Sequence, residues 1–557
     1  MATVKKNDCD LPDYALVERQ TMMSGAGYAD EGVDRIQIGI VSSWGEINPA
    51  AVNIDKVVDA VKAGVWAGGG APRVFVISSI CTSMCGDENY HLPHRDLVAG
   101  YIETVSKTNL FDGLVFVPVC DDVIPGHLMA AARLDLPATV VTGGYMQLNR
   151  HKRKEIDPLE VAPKYYRQYK EGGISKAEYS RIKDKGCMGI GACPVMGTAN
   201  TMAAMTEALG MSLPGNTATP GADSRLLRIA FEAGRRVVQL HQKRIRPSTI
   251  MSRKAFENAI RLLMATGGST NGVLHLQAIA AELGIDIPLE TFNELSKKTP
   301  FIVDVAPSGS GKFLMADLDE AGGIPAVMKE MAPLLHCDAM TVTGQTVGDN
   351  LRTVEPEPNE MIYPLDRPMA KEGGLLFLRG NLAPEGALIK KSAVPESMIM
   401  HRGPARIFQN EDDASKALIN NEIVSGSVVV VRNVGPQGDP GMRLLYRFLW
   451  IVAAKGMQEE IALITDGRFS GTNKGCAVAH ICPEASVGGP LALVEEGDII
   501  EIDIPNEKIN LKISEEEFAK RAKNWSPPRR SLQNGYLSVY ARNAKSASQG
   551  AALNYKP

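Results

Sequence analysis

Gly113-Leu114-Val115-Phe116-Val117-Pro118-Val119-Cys120-Asp121-Asp122-Val123-Ile124-Pro125-Gly126 is the stretch on which the fold turns. Its first half is an unbroken apolar run, of the length and composition of a strand buried on both faces. Pro125 and Gly126 punctuate it, and His127 to Leu134 then reads as the start of a helix. Cys120, Asp121 and Asp122 therefore stand at the carboxyl end of a strand expected to be parallel, the edge at which open α/β sheets bind ligands. A thiolate suits a soft or borderline metal such as iron, and neighbouring carboxylates suit a hard cation. Taken alone, such a motif is more often a buried thiol before a solvated acidic turn, because a free Cys usually packs as a small hydrophobe.

The alternation extends to both sides. Ile36–Val41, Arg73–Ser78 and Ala138–Thr142 read as further strands, with helices at Ile54–Trp66 and His94–Ser106. This βαβα order predicts a parallel sheet with right-handed crossovers. The loops 42–53, 79–93 and 120–126 then open on one edge. Downstream, the basic run His151–Lys154 reads as a solvated helical face. A helix is expected over Thr201–Leu209, capped by Thr198 or Asn200. Thr266 to Asn271 (TGGSTN) is dense in hydroxyl, amide and backbone donors, and is either a helix N-terminus poised for an anion or a plain capped start. Residues 352–372 hold four prolines and few aliphatics, which marks a linker. From Gly373 onward β signals dominate, at Leu375–Leu378, Ala387–Lys390, Val428–Val431, Ile461–Ile464, Ile499–Ile504 and Ile509–Ile513. The expected architecture is an α/β parallel-sheet domain over residues 1–365, then a mostly-β barrel or swivel domain over 366–557. A helix is expected between Cys476 and Cys482.

Composition bounds the function. A chain of 557 residues is too long for one hydrophobic core. Its net charge of −4 provides no basic field for nucleic acid or an anionic membrane, so neither is expected as a partner. Met1 to Pro12 lacks the apolar core of a secretory signal, and no run approaches the ~20 apolar residues that span a bilayer. Nine cysteines, at 9, 81, 85, 120, 187, 193, 337, 476 and 482, form an odd set in a chain that needs no disulfide framework. A reducing cytoplasm with thiols available for metal is the expected setting.

Five segments occur in order: CDDVIPGHLMAAARLDLPA (120–138), GACPVMGTANTMAAMTEALGMSLPG (191–215), ATGGSTNGVLHLQAIA (265–280), GGLLFLRGNLAPEGALIKKS (373–392) and ALITDGRFSGTNKGCAVAHICPEASVGGPLALVEEGDIIEIDI (462–504). Together they resemble the dihydroxy-acid and sugar-acid dehydratase family, from about Gly39 almost to the end of the chain. The resemblance implies an iron–sulfur hydro-lyase that turns a 2,3-dihydroxy carboxylate or sugar acid into a 2-oxo acid, in amino-acid biosynthesis or sugar-acid catabolism. It implies a small polyhydroxy carboxylate as substrate and a homodimer or dimer of dimers. It implies Cys120 and Cys193 as ligands of a 4Fe-4S or 2Fe-2S cluster, Asp121 as a magnesium ligand and Ser470 as the catalytic base. Thr198–Thr201 and Ser269–Asn271 match structural or pocket-lining motifs.

The chemistry fits those residue types. Departure of a 3-hydroxyl at neutral pH needs a Lewis acid, which an iron not fully bound by cysteine can be. Charge developing as the C2 proton leaves is stabilised by a hard cation, and a base must face C2. A serine is a poor base unaided, so Ser470 needs positive charge near it, from Arg468, Lys474 or a bound cation.

Four departures from the family pattern stand out. The cysteine of an NPCN-like motif is replaced in Asn48-Pro49-Ala50-Ala51. The Asp of an SDGI-type turn is lost in Ser78-Ser79-Ile80-Cys81. The Lys of a CDK motif, carbamylated in some members, is Asp122. An acidic position is Val434. The shared sheet edge offers a compensation, because Cys81 and Cys85 lie on the loop after the second strand. Either can complete a three-thiol site with Cys120 and Cys193. For magnesium two outcomes stay open: Asp121 and Asp122 hold it, or a cationic side chain such as Arg95 or Lys474 replaces it. His127, His275 and His480 read as helix or core histidines. The rival functions are another elimination or isomerisation on the same fold, and a non-catalytic paralogue. Retention of Cys120, Asp121, Cys193 and Ser470 on separate segments speaks against the second.

Overall fold

A computed structural model describes residues 12–158, 161–471, 474–528 and 534–555. Cys9 and the stretch before Pro12 lie outside the described residues.

The N-terminal half is built on a four-stranded parallel sheet ordered β2-β1-β3-β4, with β1 Gln37–Ser42, β2 Ala71–Val76, β3 Gly113–Val117 and β4 Ala138–Val140. The central strands β1 and β3 are buried along their whole length, so β3 and the middle of β1, Ile38–Val41, are apolar without alternation. Helices Ile54–Gly68 and Ser224–Lys243 pack side by side against the sheet. They approach at backbone distance: a Cβ at Gly64 would collide with the Phe231 carbonyl, and one at Gly234 with the Val61 carbonyl. Only glycine fits at either crossing point. The expected strands and crossovers are present, with ends shifted by a few residues. The helix expected from His94 begins at His91. The helix expected from Thr201 begins at Thr198, and Gly197 stands at its N-cap. Neither Thr198 nor Asn200 caps it, because both side chains bond neighbouring loops instead.

After a short hairpin, β5 (Asn149–His151) with β6 (Lys154–Ile156), the described residues up to Arg352 are mostly helices joined by loops. The proline-rich segment 352–372 is no free linker. It folds back on the first half, with Ile362 and Ala370 opposite Val303 and Phe301.

The C-terminal half closes an eight-stranded mixed barrel in the order β10-β11-β12-β8-β7-β14-β13-β9. Its strands are β7 Leu376–Gly380, β8 Ala383–Ile389, β9 Met400–Phe408, β10 Val428–Val431, β11 Ala462–Thr465, β12 Ala477–Cys482, β13 Ile499–Asp503 and β14 Lys508–Leu511. Two strands depart from the sequence pattern. The segment expected as a helix, Ala477–Cys482, is β12, parallel to β11 and antiparallel to β8. All six of its residues are buried, so the alternation that marks a half-exposed strand is absent. The strand β9 has no clear sequence signal, because Pro404 and three basic residues interrupt its apolar pattern. Closure leaves no free edge. Among the described residues no helix is long and apolar enough to cross a membrane.

Candidate active site

The carboxyl edge of the sheet gathers the loops as its parallel order requires. Asn48, after β1, donates to Ser79 Oγ (2.9 Å), and Ser79, after β2, donates to the Val119 carbonyl (2.9 Å) just before Cys120. Serine at position 79 thus ties three strand ends together where the family pattern has a carboxylate. Pro49 and Ala50 accept the backbone N–H groups of Ile190 and Gly191, which brings the Cys193 segment to the same edge. Asn200, in the first turn of its helix, braces that segment by donating to the Cys193 carbonyl (2.6 Å).

One cavity results, lined by Cys81, Cys120, Cys193, Asp121, Thr82, Thr198 and Ser470. Cys120 adopts φ +80°, a left-handed conformation that costs a non-glycine residue on the order of 1 kcal/mol or more. Cys81 and Cys120 share a hydrogen bond. Through it the Cys81 thiol is lowered to about 6 while Cys120 is held well above the ordinary range. Burial raises Cys193. Cys85 is not on this wall; its thiol donates to the Asp87 carbonyl (3.0 Å). Asp121 faces the cavity and accepts the Ala199 backbone N–H in the first turn of the Thr198 helix. Burial nonetheless raises its carboxyl. Leu444, Tyr446 and Trp450 make an apolar side to the cavity, and among the described residues no Lys or Arg lines it.

Ser470 comes from the barrel, in the loop after β11. Asp466 fixes the start of that loop by accepting backbone N–H groups from Asn433, Val434 and Ala485, at 2.8–3.1 Å. Asn271 donates to the Phe469 carbonyl (3.1 Å) and to Thr198 Oγ (3.0 Å), and Thr198 bonds Ser269 Oγ (2.9 Å). The TGGSTN turn therefore anchors the Ser470 loop to the thiol-bearing half. Lys390, fully buried after β8, donates to the Gly471 carbonyl (3.1 Å), and burial pushes its amine down to about 7. A Cβ at Gly471 would press on Ser269 and Gly197.

Asp122 does not line the cavity. It is completely buried, and Arg468 reaches it twice, Nη1 to Oδ1 at 3.2 Å and Nη2 to Oδ2 at 3.0 Å. His91 Nδ1 bonds Oδ2, and His275 Nε2 lies 3.2 Å from Oδ1. Arg468 and His91 hold the Asp122 carboxyl well below its usual range against the cost of burial, and Asp122 raises His91 in turn. His275 is lowered by burial to about 4. Its Nδ1 accepts from Arg95 (3.3 Å), which leaves the ring proton on the nitrogen facing Asp122. Arg468, rather than Arg95 or Lys474, is the cation beside the acidic turn. Arg95 is spent on Asp96 and the Gly550 and Ala551 carbonyls, and Lys474 is exposed. His127 and His480 are buried, as their sequence context suggests. His91 Nε2, finally, lies 2.8 Å from Thr82 Oγ on the cavity wall.

His91 belongs to no motif in the sequence, and Lys390 lies in the GGLLFLRGNLAPEGALIKKS segment with nothing there to mark its role. His91 falls within loop 79–93, expected on the rim, and that placement is its only signal. Lys390 is legible only as a lysine ending an apolar run.

The donor sets can be weighed against the groups the resemblance implies. Three thiols on one wall, two of them hydrogen-bonded to each other, match the soft ligands of an iron–sulfur cluster. Among the described residues no three His, Cys, Asp or Glu side chains close around a single ion. That geometry is not required of thiolates shared among several irons. It is required of magnesium, which demands near-octahedral oxygen ligands. With Asp122 committed to protein cations, Ser79 and Val434 at two positions acidic in the family pattern, and Asp121 the only carboxylate on the wall among the described residues, the residues do not fit a magnesium site.

Comparison with known proteins shows the family. Residues 35–350 match the dihydroxy-acid/6-phosphogluconate dehydratase N-terminal family model, and 360–551 match the C-terminal one. A dihydroxy-acid dehydratase of Acetivibrio thermocellus is 44% identical over 542 residues, 96% of this chain and 97% of its own. Dihydroxy-acid dehydratase 1 of Methanosarcina acetivorans is 43% identical, over 96% of this chain and 97% of its own. A dihydroxy-acid dehydratase of Ignicoccus hospitalis is 42% identical over 99% of this chain and 100% of its own. With family models covering both halves and relatives aligned end to end, the chain belongs to the dihydroxy-acid/6-phosphogluconate dehydratase family of hydro-lyases.

Proposed function

We propose that this hydro-lyase dehydrates a small 2,3-dihydroxy carboxylate to a 2-oxo acid, with an iron–sulfur cluster held by Cys81, Cys120 and Cys193. The observation that carries the reading is the meeting of those three thiols and Ser470 on one cavity, from four separate segments. Cys81 takes the place of the ligand lost at Ala50. When bound with one iron short of a thiolate, such a cluster supplies a Lewis acid for the departing hydroxyl.

The chain's own residues do the rest. Ser470 is the group that takes the C2 proton, and its loop is held in place through the Phe469 and Gly471 carbonyls by Asn271 and Lys390. The apolar side formed by Leu444, Tyr446 and Trp450 suits a short aliphatic tail. Absence of Lys and Arg from the described lining disfavours a phosphorylated sugar acid, whose phosphate asks for cations. The enol product tautomerises to the oxo acid.

Anaerobically purified protein is expected to be brown, to carry iron in proportion to chain, and to release a 2-oxo acid from aliphatic 2,3-dihydroxy acids faster than from phosphorylated aldonates. Colourless, iron-free protein with no turnover of either class would refute the assignment.

A further inference from the structure

The helix Tyr446–Lys455 turns two different faces to its surroundings. Phe448, Leu449 and Val452 pack with the barrel core around Val429 and Val431. Tyr446 and Trp450, four positions apart and so on one side of the helix, line the cavity instead. Their rings meet edge to face, with centroids 4.9 Å apart. This wall has a direction. Its inner end is Leu444, which pairs with Arg468, just before Ser470 in the chain. Exposure then rises, from 1% at Leu444 and 7% at Tyr446 to a half-buried Trp450. Trp450 stands ~6 Å beyond Tyr446 along the helix axis, at the outer end of the wall.

The helix is pinned at both ends. At its start, Glu411 accepts the Phe448 backbone N–H (2.9 Å). Buried Glu88 pairs with Arg447 Nη2 (2.7 Å) and Arg443 Nε (3.4 Å), and the Tyr446 hydroxyl is 3.5 Å from it. Glu88 belongs to the loop that carries Cys81. Next to it, Asn89 donates to Asp439 (2.8 Å), and a Cβ at Gly441 would collide with the Asn89 carbonyl. At the far end, Arg167 donates to the Ala454 carbonyl. The helix cannot back away from the thiol-bearing half, so the wall keeps its length.

Building on the dehydration proposed above, we infer that Trp450 limits the length of the substrate's tail, and that Glu88 positions it by holding the helix through Arg447 and Tyr446. The class selected is a 2,3-dihydroxy acid whose C3 carries only short alkyl groups. A longer chain meets the indole before its C2 hydrogen can face Ser470.

The test uses iron-loaded, full-length enzyme with 2,3-dihydroxybutanoate and 2,3-dihydroxyoctanoate. It reads the ratio of their kcat/KM values, in which any loss common to both cancels. Wild-type enzyme should favour the short acid. Trp450→Ala should shift the ratio toward the long acid by about 10-fold or more, the least that one methylene is worth in an apolar pocket. Trp450→Leu, which keeps part of the apolar surface, should shift it less, and iron per chain should be that of wild type in both. Glu88→Gln, with the wall's own side chains intact, should move the ratio the same way by about threefold or more. A wild type that favours the long acid, or a ratio within about threefold of wild type in both Trp450 variants, overturns the length filter and leaves the dehydration intact. An unmoved ratio in Glu88→Gln overturns its positioning role. Iron-loaded wild-type enzyme that turns over no dihydroxy acid overturns the filter and the dehydration together.

Discussion

Replacing Lys390 by Met tests whether the Ser470 loop is held at a cost in stability. The side chain is 2% exposed, its resolved acceptor is the Gly471 carbonyl at 3.1 Å, and burial together with Lys474 lowers the amine from 10.5 to about 7. The sign follows from linkage. Between those two values the unfolded chain binds a proton that the folded chain has released, so stability rises with pH across that window. With that displacement the lysine destabilises the native state by roughly 4 kcal/mol near pH 7 and by roughly 2 kcal/mol near pH 9. Met removes that penalty but strands the carbonyl, a loss of about 1–3 kcal/mol. Lys390→Met is therefore expected to be more stable than wild type by roughly 1–3 kcal/mol near pH 7, with the advantage shrinking by roughly 2 kcal/mol near pH 9. Urea unfolding of both proteins at the two pH values measures it. The kcat of the variant should fall, because the loop carrying the base loses an anchor. A stability gap that is the same at both pH values would refute the reasoning.

Three further outcomes are expected. Cys81→Ser should lose most of its iron while Cys85→Ser keeps it, measured as iron per chain after anaerobic purification, since only Cys81 is on the cavity wall. Removing divalent cations with EDTA should leave the turnover rate of iron-loaded enzyme unchanged; loss of activity restored by magnesium would show that Asp121 recruits the ion without Asp122. Gly64→Ala should lower stability by about 3 kcal/mol, read as a drop in Tm, because the new methyl meets the Phe231 carbonyl of the packed helix rather than a side chain that can move.

The parallel sheet is legible because the fully buried strands β1 and β3 print continuous apolar runs. The barrel is legible for the same reason at Val428–Val431, through alternating burial at Ile499–Asp503, and illegible at β12, where Ala477, Ala479 and Cys482 are small and buried on both sides. In the site, Cys120 and Ser470 can be read from motifs, and the choice of Cys81 over Cys85 cannot. Both belong to one loop, and only its turn at Thr82–Met84 sends the first thiol inward. The Asp122 network is hidden for a different reason. Its members are 31, 153 and 346 positions from Asp122 along the chain, so no local pattern links them. What the sequence does register is the exchange of a family lysine for an acid, whose consequence emerges only when Arg468 arrives from the barrel.

The division of labour between the two halves has a consequence for biosynthesis. A ribosome delivers Cys81, Cys120 and Cys193 well before it reaches Ser470. If the thiols and the serine act as proposed, the metal-gripping pocket is made first and the proton-abstracting loop is docked onto it last. Premature chemistry is thereby ruled out by birth order: a half-made polypeptide can accept its inorganic cargo but cannot turn over substrate until the barrel has closed.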